Sequence, residues 1–334
     1  MERKEKNLID KVNGKRVLFI TTKNIDYIRN SQEVKILEEN AKDVKLVYSS
    51  KKKYVGRIIE IWIRLLLMRM RETDIIFIGF APQLILPVFK WKMRNKVIII
   101  DFFISIYDTL IHDRRKFKDK GIIANICYYV DYITLKWAEH VIIDTKADER
   151  YFVEEFRSDE SKFETLYLEA DKTIYYPRET NKKEELKNKF VVLYFGSILP
   201  LQGVEVILDA VKILKDEKDI LFQIIGPVPE KYSKPVQDNV EYIDWLSQET
   251  LAEYIANADL CLAGHFNETI DKAKRTIPGK AYIYAAMGKE MVLGDNEANR
   301  ELTFEKSCYV KMGSSDELAK LISGKRKQKE QISY

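Results

Sequence analysis

Cysteine and histidine are scarce in this 334-residue chain, which has three of each. Cys127, Cys261 and Cys308 lie far apart in apolar surroundings and form no CxxC pair. That pattern excludes a metal or redox motif and reads as small core residues in a reducing cytoplasm. Charge of one sign is also lacking: the net charge is +4. With no zinc-ligand spacing and no RNP-like aromatic motif, the chain does not read as a dedicated nucleic-acid binder. The opening MERKEKNLIDK has no apolar h-region, so no signal peptide is expected. The most apolar run, Ile75 to Trp91, is interrupted by Pro82 and Pro87 and falls short of a span, so no transmembrane helix is expected.

Hydrophobic residues at 46% and charged residues at 32% describe an ordered globular chain. Its length exceeds what one core usually serves, so two domains are expected. Short apolar runs alternate with longer helical patterns, the mark of parallel βαβ units. Strands are expected at 16–20, 43–48, 74–79, 96–101 and 139–144, with helices around 31–41, 56–72, 121–138 and 145–157. The second half repeats the pattern with strands at 190–196, 219–226, 239–245, 258–264 and 290–295, and helices around 203–217, 248–257 and 278–287. Residues 170–189 are polar, contain Pro177, and read as an interdomain hinge. The expected division is 1–178, 179–315, and a C-terminal helix with a basic tail over 316–334.

Residues 277–300, IPGKAYIYAAMGKEMVLGDNEANR, are the most informative stretch. Pro278 suits a first helical turn, where its missing N–H is an orphan in any case. Lys280 then projects near a helix N-terminus, where free N–H groups and the dipole favour an anion. Ala285, Ala286 and Gly288 leave room for close approach, and a polar loop opens a second helix. Seven of the thirteen glycines fall between Gly196 and Gly294, which places backbone-approach loops on the second domain. The array suits a diphosphate and points to a nucleotide-sugar enzyme.

Three further segments carry a resemblance: LYLEADKTIYYP (166–177), YFGSILPLQGVEVILDAVKIL (194–214) and VEYIDWLSQETLAEYIANADLCL (240–262). Taken in order with the 277–300 stretch, they resemble retaining glycosyltransferases of family 4 over essentially the full length. YDTLIHDRRK (107–116) and IPGKAYIY (277–284) are similar to a bacterial subgroup of that family. The resemblance implies an α/β GT-B fold, two Rossmann-like doubly wound parallel-sheet domains facing across a cleft. It also implies retaining, metal-independent hexosyl transfer from a nucleotide sugar, with UDP as the expected carrier and no cofactor. The acceptor would be a glycan or lipid-linked saccharide in surface polysaccharide or glycoconjugate assembly. Two departures stand out. The family's glutamate pair falls on Arg275 and Ile283, and its loop lysine falls on Gln202. They motivate an alternative, a non-catalytic GT-B-like partner subunit; a GT-B epimerase lacks a matching acid–base pair.

Positive groups must sit where charge develops on a departing diphosphate. Arg275 and Lys280 bracket the start of the 278–287 helix and are the expected phosphate stabilisers, while Lys272 and Lys274 read as a solvated loop. Gly196 and Ser197 end the first strand of domain two, at the ligand edge of an open α/β sheet or in a plain βα turn. Trp245 either borders base or sugar at that edge or packs between domains. Gly264, His265, Asn267, Glu268 and Thr269 either hydrogen-bond donor hydroxyls or form a polar surface loop. In the first domain Asp101 and Asp108 are the expected acceptor- or sugar-orienting groups, with capping as the alternative. His112, Asp113, Arg114 and Arg115 read as structural or acceptor-side, and His140 as non-chemical. RIIEIWIRLLLMRMR (57–71) is a basic amphipathic helix. It either lies on an anionic membrane, at the inner face of the cell membrane, or packs on a core with a solvated charged stripe.

Overall fold

The computed structural model describes residues 7–180, 182 and 184–332. The opening MERKEK therefore lies outside the described residues. The chain divides into two compact units, Met1–Glu169 and Ala170–Tyr334.

Unit 1 is a parallel sheet of β1 (Arg16–Ile20), β2 (Asp43–Val47), β3 (Ile75–Ile78), β4 (Val97–Asp101), β5 (His140–Ile143) and β6 (Phe163–Thr165), in the order 2-1-3-4-5-6. Its helices are α1 (Leu8–Val12), α2 (Ile28–Asn40), α3 (Tyr54–Leu67), α4 (Leu86–Phe89), α5 (Ile122–Trp137) and α6 (Lys146–Phe156). β3, β4 and β5 are near-continuous apolar runs because helices cover both faces of a parallel sheet. Thr145 starts α6 by accepting a hydrogen bond from the Asp148 N–H at 3.1 Å. Pro87 sits in the first turn of α4, where it costs no hydrogen bond.

Unit 2 has β7 (Phe190–Phe195), β8 (Ile220–Ile225), β9 (Val240–Ile243), β10 (Leu260–Gly264), β11 (Met291–Gly294) and β12 (Ser307–Val310), again all parallel. Its helices are α7 (Val204–Ile213), α8 (Gln248–Asn257), α9 (Asp271–Arg275), α10 (Gly279–Ala286) and α11 (Ser315–Ile332). The spatial order is 12-11-10-7-8-9. Counted within the unit this is the dinucleotide-fold order 3-2-1-4-5-6, with the reversal between β7 and β10. The C-terminal segment is not a separate tail: Leu318, Ala319 and Ile322 of α11 enter the core beside α7.

Two expectations change. The edge strands β6 and β12 escaped the sequence reading because they are short and only partly buried, so no apolar run marks them. The charged stripe of α3 is only partly a solvent face. Arg57 is buried and donates to the Lys51 carbonyl at 2.9 Å, Glu60 accepts from Ser49 Oγ at 2.7 Å, and Arg64 donates to the Tyr48 carbonyl at 3.0 Å. Arg71 lies beyond the end of the helix. Ile61 and Leu65 face the core, which leaves Val55, Ile59, Ile63, Leu66 and Leu67 outward.

Asp101 is engaged within the fold. It is fully buried at the end of β4, where Arg29 Nε donates to Oδ2 at 3.2 Å and the Phe103 N–H donates to Oδ1 at 3.2 Å. Arg29 also contacts Glu33 at 3.4 Å and donates to the Leu166 carbonyl. Burial and the negative charge of Asp101 push the Glu33 carboxyl well above the usual range, so one cation faces one carboxylate and one acid that keeps its proton. The trio joins α2, β4 and the segment just after β6. Arg29→Ala leaves that carboxylate unpaired and is expected to cost about 3–5 kcal/mol, read from chemical denaturation of unit 1. A loss under about 1 kcal/mol contradicts this account.

Candidate functional site

The strand order of unit 2 reverses between β7 and β10, and outside the carboxyl ends at such a reversal is where open α/β sheets bind ligands. Gly196 ends β7 at φ +133°, and its N–H donates to the Ile225 carbonyl at 3.0 Å. A Cβ on Gly226, after β8, would meet the Gly196 carbonyl oxygen at 2.7 Å, so only glycine allows the two turns to approach. The same hypothetical atom lies 3.6 Å from Trp245 Cη2. Trp245 is 56% exposed, and its ring borders this edge. Ser197 is exposed beside it.

Lys280 is the centre of the site. It is buried in the first turn of α10, with Pro278 as the residue before the helix. Its Nζ donates to Gln202 Oε1 at 2.6 Å and sits 4.7 Å from the Tyr194 ring centroid. A Cβ on Gly196 would lie 3.7 Å from the same nitrogen. Tyr194 OH donates to Gln202 Oε1 too, so the amide oxygen is held from two sides. Burial brings the Lys280 ammonium down to about 7, because nothing with a negative charge offsets its removal from water.

The loop after β10 closes the other wall. His265 is buried, and its imidazole is pushed well below the ordinary value, first by burial and then by the charges of Lys280 and Lys272. It is therefore neutral at physiological pH. The Phe266 N–H donates to the Gln202 carbonyl at 3.1 Å, which ties the β10 loop to the β7 loop. A Cβ on Gly203, at φ +63°, would meet the Asn267 nitrogen at 2.5 Å, so this junction requires glycine. Asn267 Oδ1 accepts from the N–H groups of Thr269 and Ile270 at 2.8 and 3.0 Å and orders the turn. Glu268 is exposed and lies over Gly313, where an added Cβ would be 2.5 Å from its carboxyl carbon.

Of the expected residues, the structure brings Gly196, Trp245, Gly264, His265 and Lys280 to one sheet edge. Arg275 ends α9, half-buried, on the segment leading into α10. Asp108 belongs to the other unit, buried in a π-helical turn over Asp108–Asp113. That turn is built by Asp131, which accepts from Ser105 Oγ at 2.7 Å, the Tyr107 N–H at 2.8 Å and Gln83 Nε2 at 2.8 Å. Asp101 and Asp108 are thus both buried within unit 1.

Sequence reasoning missed Tyr194, Asn296 and Asn299. Asn299 is buried and donates to the Gly294 carbonyl at 2.8 Å and the Gly264 carbonyl at 3.3 Å, while its N–H donates to Asn296 Oδ1 at 2.8 Å. These bonds clamp the ends of β10 and β11. The polar run GDNEAN was the available signal; the helix expected after it is a single 3₁₀ turn, Ala298–Arg300.

Residues 177–270 match the family described as Glycosyl transferases group 1. A solved HepE from Anabaena in complex with UDP superposes with a TM-score of 0.66 at 14% identity, over 94% of this chain and 90% of that one. The fold is GT-B. A solved sucrose-phosphate synthase from Thermosynechococcus elongatus gives a TM-score of 0.67 at 11% identity, over 93% and 89%. Among curated proteins, the chitobiosyldiphosphodolichol beta-mannosyltransferase of Kluyveromyces lactis is 27% identical over 235 residues, 59% of this chain and 52% of the relative. An uncharacterized 41.2 kDa protein in the cps region of Klebsiella pneumoniae is 23% identical over 202 residues, 58% and 54%. The chain thus spans about half the length of the curated relatives it matches. Within this GT-B chain the group 1 match covers β7 to β10 and their loops, and stops just before α9 and Lys280.

Lys280→Met tests the burial argument. An ammonium whose folded value lies near 7 and whose unfolded value is near 10.5 binds fewer protons in the folded state, so its cost to stability is greatest at low pH and fades as pH rises. The variant is expected to be more stable than wild type by about 1–3 kcal/mol below pH 7, with the gap narrowing towards pH 10. Paired denaturation curves across that range check the sign; a destabilised variant at pH 6 overturns it.

Proposed function

We propose that this chain transfers a sugar from a nucleotide-sugar donor, with UDP as carrier and retention of anomeric configuration, onto a glycan or lipid-linked saccharide. The observation that carries the reading is the buried Lys280 ammonium at the β7–β10 reversal, beside Gly196 and Gln202. A diphosphate there restores the charge partner that burial withholds, and so raises the fraction of Lys280 that is protonated. In the transfer, the sugar C1–O bond to the β-phosphate breaks while the acceptor oxygen bonds to C1 on the same face, and the acceptor proton passes to the departing phosphate. Lys280 stabilises the negative charge as it develops, Gln202 and Tyr194 fix the position of its Nζ, and Trp245 borders the base or sugar.

The HepE neighbour is solved with UDP and with UDP-glucose, which favours this donor class, and the Kluyveromyces lactis relative is by name a mannosyltransferase acting on a lipid-linked chitobiose, which favours this acceptor class. With a cationic side chain at the phosphate position, the transfer is proposed to need no metal, and the chain to work in the cytoplasm. The second reading, a partner subunit without turnover, is favoured by Arg275 and Ile283 standing where the resemblance leads one to expect carboxylates.

A panel of nucleoside diphosphates and their sugars tests the proposal. UDP at a hundredfold excess over its dissociation constant is expected to stabilise unit 2 by about 2.7 kcal/mol. Calorimetry in two buffers of different ionisation enthalpy should show proton uptake on UDP binding above pH 7, since the anion favours the charged form of Lys280. Lys280→Ala is expected to lower kcat by about 10²–10³ with a smaller effect on UDP affinity. UDP binding without turnover on any donor favours the partner subunit. Activity should survive EDTA; loss restored by Mg²⁺ or Mn²⁺ removes the metal-independent mechanism.

A further inference from the structure

Unit 1 carries an outward apolar face that the transferase reading does not use. Val55, Ile59, Ile63, Leu66 and Leu67 line the outer side of α3, and Leu67 is 80% exposed. Trp62 of α3 packs edge-on against Phe89 of α4 at 6.2 Å, and α4 packs against α5. The neighbouring helices continue the exposure. Val88 and Trp91 are outward at the end of α4, and Ile122, Ile126 and Tyr129 are outward along α5, with Ile122 81% and Trp91 67% exposed. No helix among the described residues is long and apolar enough to cross a membrane. Three adjacent helices therefore present isoleucine, leucine, tryptophan and tyrosine to solvent. Large apolar side chains exposed on three neighbouring helices are the kind of surface that marks a contact site.

Charge decides what the contact is. The segments that frame these helices, 51–71, 90–96 and 114–120, hold sixteen Lys or Arg and two Asp or Glu. The chain as a whole is only +4, so the remainder is net acidic and the positive charge is gathered here. Some of these cations serve the fold: Lys92 caps the end of α3 through the Leu65 carbonyl at 2.6 Å, and Lys96 donates to the Thr73 carbonyl at 2.5 Å. Arg69, Arg71 and Arg94 remain exposed. They line a surface cleft of about 560 Å³ whose other wall is Leu66 and Leu67. Apolar side chains beside exposed guanidinium groups, with Trp and Tyr at the margin, are the chemistry of an interface between acyl chains and anionic headgroups.

We propose that the α3–α4–α5 face of unit 1 docks on an anionic lipid bilayer, with Leu66 and Leu67 inserted and Arg69, Arg71 and Arg94 on headgroup phosphates. The docking does not rest on the transferase reading, because it involves neither the β7–β10 reversal nor a donor.

Cosedimentation with vesicles tests it, using phosphatidylcholine alone and a mixture with phosphatidylglycerol. The full chain is expected to bind the anionic mixture, to release at high salt, and to ignore phosphatidylcholine at the same lipid concentration. Each cation near the surface contributes about fivefold to partitioning, so Arg69→Glu/Arg71→Glu/Arg94→Glu should weaken binding at least about a hundredfold. Ile63→Glu/Leu67→Glu should abolish it while changing only exposed positions. Far-UV circular dichroism and thermal unfolding, measured on the same proteins, should match wild type and confirm that each variant is folded. Wild-type protein that ignores anionic vesicles overturns the proposal, as do variants that partition like wild type. So does a wild-type dimer that Ile63→Glu/Leu67→Glu turns into a monomer, which assigns the face to a second copy of the chain.

Discussion

One ammonium removed from water governs the candidate site. Lys280 Nζ rests on Gln202 Oε1 and over the Tyr194 ring, with no carboxylate among the groups that shift it. An amide oxygen is a poor substitute for solvent around a full positive charge, so the lysine is held near its midpoint of protonation instead of fully charged. The surrounding chain keeps it there. The β7 and β10 loops are tied through the Gln202 carbonyl and the Phe266 N–H, and Asn299 fixes the ends of β10 and β11. The result is a cation-shaped position whose charge an anionic ligand completes, with electrostatics preorganised in the sense that favours departing phosphate.

The two units use buried charge for opposite purposes. In unit 1 Arg29 is outweighed by carboxyl groups: burial alone would lower its ionisation, but Asp101 and Glu33 more than reverse that, and the guanidinium stays charged. Arg29 pairs with both Asp101 and Glu33, and the cluster holds α2 to β4. In unit 2 Lys280 has a hydrogen bond but no counter-charge. This difference in counter-charge sets the Arg29 cluster apart from the candidate site around Lys280.

Much of the architecture was legible along the chain. VVLYF, ILFQII and IIFI announce buried parallel strands because helices cover both faces. The edge strands β6 and β12 were not legible, since a half-exposed strand of three or four residues carries no apolar signature. In the site, Lys280, Gly196, Trp245 and His265 were legible from their position after strands or at a helix start. Tyr194 and Asn299 were not, because a tyrosine inside a strand and an asparagine in a loop look like core and surface until their partners are known.

The sequence by itself determined the local elements, the two-unit α/β plan and the residues that sit at strand ends, because periodicity, caps and glycine act over a few neighbouring positions. Tertiary structure decided which of those strand ends meet. The reversal between β7 and β10 brings Gln202 to Lys280 across 78 positions, and the packing of α3 turns Arg57 inward and Ile59 and Leu67 outward. A helical pattern gives the angle between its polar and apolar stripes, but only the neighbouring backbone carbonyls of residues 48–51 set which stripe faces water.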